Sequence, residues 1–141
     1  MSYFKHLDTY IGLLDSFINY RISAVDFDDK YNRLWKCDRD EGSLALKDHI
    51  SDPNHPLLVK LRDNKITPEE FSNLSGMLLG MSESQARIRS VLDRIFTTCD
   101  CFWPDIPDDE SDPPLVLSER QFRAEILDLY QELKTLTNKL D

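Results

Sequence analysis

Glycine is scarce in this chain, with four residues in 141, each standing alone. Phosphate-cradling glycine loops are thereby excluded. Together with long stretches of helical periodicity, the scarcity favours helix over sheet. Cysteine is scarcer still. Cys37, Cys99 and Cys101 cannot all pair with one another, and a single intervening residue leaves the last two too close for an easy bridge. A reducing, cytoplasmic compartment is the expectation. No apolar run approaches the roughly 18 residues of a membrane span. The opening MSYFKHLDTY lacks the basic start and apolar stretch of a secretory signal.

Catalytic and metal signatures are also missing. His6, His49 and His55 are the three histidines, and neither a G-x-S-x-G elbow nor a Cys–His signature accompanies them. No pair of carboxylates is set apart in apolar surroundings, as an acid–base pair with split pKa values requires. The chain is expected not to be an enzyme. Cys37, Cys99, Cys101, His49 and His55 are the candidate soft ligands. A structural zinc site draws ligand pairs from both of its sides, whereas here one Cys-x-Cys stands without a second pair. No metal and no cofactor are expected. Helix-end cysteines and surface or boundary histidines account for these residues.

What remains fits one soluble domain spanning 1–141, with 40% hydrophobic and 30% charged residues, a balance of folded rather than disordered chains. The net charge of −9 is unevenly placed. Residues 1–65 hold ten Lys and Arg against eleven Asp and Glu; residues 66–141 hold seven against fifteen. Such a field repels nucleic acid and membrane surfaces and attracts basic proteins.

Helical periodicity runs through most of the chain. Phe4, Leu7, Ile11, Leu14 and Phe17 or Ile18 mark the buried face of a helix over 3–20. Ser23 opens a second helix by accepting from the Asp26 amide, with Asp26, Asp28 and Asp29 at its dipole-favoured start. Phe27, Tyr31, Leu34 and Trp35 are its stripe, and Gly42 reads as its stop. Residues 43–66 read as a short helix or an irregular segment. Thr67-Pro68-Glu69-Glu70 is a strong helix start. Residues 68–99 form either one long bent helix or two that meet near Met81. Ser118-Glu119-Arg120-Gln121 opens the last helix, with Phe122, Ile126, Leu129, Leu133, Leu136 and Leu140 on one face. The fold class is all-α: an up-and-down bundle of four main helices.

The connection before that last helix is unusual. It carries Pro104, Pro107, Pro113 and Pro114, and between 100 and 112 it holds six carboxylates with no Lys or Arg. Helix connections in bundles take about two to eight residues, so this one is long enough to do more than connect. Asp100, Asp105, Asp108, Asp109, Glu110 and Asp112, with the aromatic pair Phe102 and Trp103, read as a surface for a basic partner. An aromatic after a helix end also serves as a lid on the core, and both roles fit if Phe102 points inward and Trp103 outward. Asp38, Asp40 and Glu41 form a second acidic cluster. Mixed with Lys36 and Arg39, it reads first as a solvated helix end and second as an additional contact.

These patterns resemble a known family. They are Arg21-Ile-Ser-Ala-Val-Asp-Phe27, Tyr31-x-x-Leu-Trp35 with Asp38, Leu92-Asp-Arg-Ile-Phe96, Thr98-Cys-Asp100-Cys-Phe102, the acidic proline-bearing loop, and Leu117-Ser-Glu-Arg-Gln-Phe122. The chain looks like the bacterial self-protective immunity proteins of the colicin D type, whose relatives serve contact-dependent growth inhibition. The resemblance implies a helical protein, a monomer when unbound, that binds a cognate basic nuclease toxin, often a tRNA-cleaving one. It implies that loop carboxylates lie where RNA phosphates would sit, with Trp103 as an apolar anchor. Two other classes stay open. One is a helical adaptor that takes a partner helix or peptide in a groove, through residues 43–81. The other is a metal- or small-molecule-binding regulator.

Overall fold

The computed structural model describes residues 5–113 and 115–139, with nothing assigned to the side chain of His49. Among the described residues the regular elements are all helices, without strands. The helices are α1 (Leu7–Ile18), α2 (Ala24–His49), α3 (Pro56–Arg62), α4 (Pro68–Leu78), α5 (Glu83–Asp100) and α6 (Glu119–Thr137), with a 3-10 turn at Asp108–Glu110. Phe4, Leu140, Pro114 and the His49 side chain, all used in the sequence reading, lie outside the described residues.

Capping chemistry sets most of the starts. Ser23 accepts from the Asp26 amide at 3.1 Å. Thr67 and Glu70 close a full capping box, as do Ser82 and Gln85. Ser118 accepts from the Gln121 amide at 3.3 Å. Each such cap stabilises its helix by about 1 kcal/mol, because it satisfies an amide that the helix itself leaves unpaired.

Four helices pack in a closed ring: α1 on α2 and α6, α2 on α5, and α5 on α6. Their inward residues form the core. Tyr10, Leu14 and Phe17 come from α1, and Phe27 and Tyr31 from α2. Helix α5 adds Ile88, Val91, Leu92 and Ile95, and α6 adds Phe122, Ile126 and Leu133. Aromatic rings join the helices. Phe17 stacks on Phe27 at 4.4 Å, and the Tyr31 hydroxyl donates to the Leu92 carbonyl at 2.7 Å. Burying each of these side chains contributes about 1.5–3 kcal/mol.

Two expectations need correction. Gly42 is no stop: α2 runs through it for two further turns, to His49. Residues 43–49 therefore belong to α2, and a loop and α3 make up the rest of the 43–66 segment. Glycine ends a helix when the backbone must turn left-handed. Gly80 does this, with φ of +91°, and it separates α4 from α5; Gly42 is not among the positive-φ residues. The 68–99 stretch is thus two helices. Helix α4 lies outside the ring, packed on α5 and α3. Helix α3 buries no residue, and Leu74, Met77 and Leu78 of α4 stay exposed.

Candidate functional site

The loop from Cys101 to Ser118 is tied at its base and shaped inside. Trp103 donates its amide to the Leu117 carbonyl at 3.0 Å, and Leu117 donates to the Cys101 carbonyl at 2.7 Å. These bonds make a one-residue parallel bridge between Phe102 and Leu117. Farther out, Asp112 and Val116 exchange backbone bonds at 2.8 and 2.9 Å. At the tip, Glu110 donates to the Pro107 carbonyl at 3.0 Å, closing the 3-10 turn, which rests against α6.

The aromatic pair splits. Phe102 is 7% exposed and stacks on Phe122 of α6, with centroids 4.4 Å and planes 9° apart. It anchors the loop from below and is buried rather than presented to solvent. Its neighbour Trp103 is 58% exposed, and Leu115 is 70% exposed.

Asp100, Asp105, Asp108, Asp109, Glu110 and Asp112 are all exposed. None of the six forms an ion pair with a described residue. Acids elsewhere often do: Asp29 meets Arg33 at 3.0 Å, Glu83 meets Arg87 at 3.0 Å, and Glu132 pairs with Arg94.

The second acidic cluster does not hold together as a surface. Asp38 is fully buried. His6 Nδ1 lies 2.8 Å from its Oδ1, and the Tyr10 hydroxyl donates to its Oδ2 at 2.7 Å. Asp38 therefore ties α1 to α2 and is not exposed to a partner. Asp40 is bound by Arg39 at 3.0 Å, and Glu41 alone stands exposed without such a pair. The candidate soft ligands are scattered. Cys37 is exposed on α2, Cys99 is buried in α5, Cys101 caps α5, and the His55 ring accepts from the Leu57 amide at the start of α3.

Sequence reasoning missed one extension of the acidic surface. Asp28 and Asp29 look like ordinary first-turn acids. Packing of α2 on α5 brings them to Asp100 around a dimple of about 410 Å3, which Val25, Asn32, Arg33 and Lys36 also line. Burial raises the Asp28 pKa from its ordinary value; hydrogen bonds from Asn32 and Cys99 oppose the shift, and repulsion by Asp100 and Asp29 adds to it. Burial likewise pushes the Cys99 thiol up, away from a reactive thiolate.

Residues 6–52 match the family model for bacterial self-protective colicin-like immunity. The match bears out the resemblance read from the sequence. It spans α1 and α2, including the Tyr31-x-x-Leu-Trp35 pattern and Asp38; the 92–122 segment lies outside it. No curated protein and no solved structure gives a significant match. Among the described residues, no helix is long and apolar enough to cross a membrane.

Proposed function

We propose that this chain neutralises a cognate nuclease toxin, a tRNA-cleaving one, by covering its basic active-site cleft with the 100–112 loop. One observation supports this above others. Five exposed carboxylates on a loop tied at its base, with Asp100 at the end of α5 beside it, form no ion pair with a described residue, and the same loop exposes the indole of Trp103. Asp29 and Glu83, by contrast, lie beside cations of the same chain.

The mechanism follows from that arrangement. A cleft that holds RNA must be positively charged. Carboxylates aimed at it steer the encounter and raise the association rate. Holding on requires desolvated anchors, and the exposed Trp103 and Leu115 supply apolar area on the same loop as the charges. Because the loop is shaped before binding, little ordering entropy is lost on association. The protein acts by occupancy, without catalysis, metal or cofactor, as a monomer in the cytoplasm.

The family match supports the immunity role, and the charge of the loop supports the nuclease partner. The decisive experiment is co-purification with a nuclease domain encoded beside this gene, together with an RNase assay. Loss of tRNA cleavage on adding the wild-type chain is the expected result. A toxin that cleaves tRNA at full rate inside a stable complex would overturn the occlusion mechanism.

A further inference from the structure

The C-terminal part of α2 stands apart from the core. Helix α2 packs on α1 and α5, but α4 faces it across a cleft of about 470 Å3. Asp38 is buried and tied to Tyr10, and Ile50 is buried just past the helix end. Between them, over 39–48, no residue is buried: Gly42 and Leu46 are half-buried and the other eight are exposed. The cleft is apolar in part. Leu46 lines it from α2, and Phe71 and Leu79 line it from α4. The stacked rings of Trp35 and Phe96 line it too. All five are half-buried, so each keeps apolar surface in water.

Gly42 lies inside this unsupported part, followed by Ser43. Its backbone is not left-handed, and a Cβ there would meet nothing within 4 Å. Neither a turn nor close packing therefore requires glycine. Gly12 is equally open, but the buried Tyr10 and Leu14 hold α1 on both sides of it. After Gly42 no described residue is buried until Ile50. Sharp bends in helices occur at glycine–serine pairs, because glycine leaves the helical conformation cheaply and a serine hydroxyl satisfies a freed backbone group.

We propose that residues 43–49 form a strap that bends at Gly42-Ser43 and closes on α4, sealing Leu46 against Phe71 and Leu79. The continuous α2 of this structure is the open state. Burial of the apolar lining drives closure, and the helical bonds broken at the bend oppose it. Motions of this kind run in microseconds to milliseconds. The strap is separate from the 100–112 loop and stands whether or not that loop meets a toxin.

The test puts 5-fluorotryptophan into the full chain carrying Trp103→Phe, which leaves Trp35 as the single label. Fluorine NMR should show two lines, or one line with relaxation dispersion. Gly42→Ala favours the unbent helix and should give one line without dispersion. Leu46→Gln keeps helix propensity but removes the apolar seal, and should lower the closed population at least about threefold. A single line without dispersion in the chain that keeps Gly42 would overturn the proposal. So would exchange that persists unchanged in Gly42→Ala, which would place the motion elsewhere, or a closed population untouched by Leu46→Gln.

Discussion

Phe102 lies flat against Phe122, with ring centroids 4.4 Å apart, while the next side chain along, Trp103, points to solvent. One aromatic holds the loop to the bundle and the other is free to meet a partner. Phe102→Ala should cost about 3–4 kcal/mol of stability, since it removes a buried ring and leaves a cavity beneath the loop. Trp103→Ala should change stability by less than about 0.5 kcal/mol. It should weaken toxin binding by about 2 kcal/mol or more. Chemical denaturation and titration calorimetry on both variants check this; equal losses of stability would break the division of labour.

The carboxylates of the loop act mainly before contact. Exposed charges are screened over about 10 Å at 0.1 M salt. Raising salt should therefore slow toxin association strongly and leave dissociation nearly unchanged. Reversing two charges, Asp108→Lys with Asp109→Lys, should cut the low-salt association rate by about tenfold or more. Both side chains are exposed and outside any ion pair with a described residue, so the melting temperature should hold. Stopped-flow traces across a salt series test this, and rates flat in salt would remove the steering role.

Asp38 makes a different prediction, because it is a buried acid between helices. Its Oδ2 accepts from the Tyr10 hydroxyl at 2.7 Å, and His6 sits on its Oδ1. Tyr10→Phe removes one donor from a buried acceptor and should cost about 1–3 kcal/mol. Asp38→Ala should cost more, about 3 kcal/mol or above, by breaking the whole link between α1 and α2. Urea midpoints of the two variants decide it. Toxin affinity measured well below those midpoints should stay at the wild-type value, since Asp38 does not reach the surface.

What the sequence made legible follows a physical pattern. Caps are local, so Ser23, Thr67 and Ser118 could be placed from their neighbours. The inward face of α6 was legible for the same reason, because helical spacing is local; that of α1 was legible at Leu14 and Phe17 but not at the fully buried Tyr10. Contacts between distant residues were not. Asp38 sits in the polar run Lys36-Cys37-Asp38-Arg39-Asp40, and its partners are 28 and 32 residues away. The approach of Asp28 to Asp100 depends on how α2 meets α5, which no spacing announces. The composition of the loop was plain, whereas its closure rests on backbone bonds from Trp103 and Leu117 that side-chain identities do not encode.

The Asp28 carboxyl makes stability depend on pH. Burial raises its folded pKa above the unfolded value of about 3.9. Between those two values the unfolded chain gives up the proton first, so folding loses stability as pH rises through the interval. Below it both states are protonated and nothing is lost. Asp28→Asn keeps a hydrogen-bonding side chain beside Asn32 and removes the penalty. A gain of a few tenths of a kcal/mol at pH 7 is expected, kept small by solvent screening. No gain is expected near pH 3. Denaturant midpoints at both pH values test this, and an equal gain at both would place the effect outside ionisation.

Gly42 offers the sharpest check on the length of α2. In the interior of a helix, glycine costs about 1 kcal/mol relative to alanine, because the unfolded chain has more freedom to lose. A Cβ at position 42 would meet nothing within 4 Å, and the backbone there is not left-handed. Gly42→Ala should therefore raise stability by about 0.5–1 kcal/mol and leave helical circular dichroism equal or slightly higher. At a helix stop the same change would be destabilising, because alanine strains a left-handed turn that glycine takes freely. A loss of stability in Gly42→Ala would mean that α2 ends before Ser43. The cleft between α2 and α4, lined in part by Gly42, Ser43 and Leu46, would then lose one of its walls.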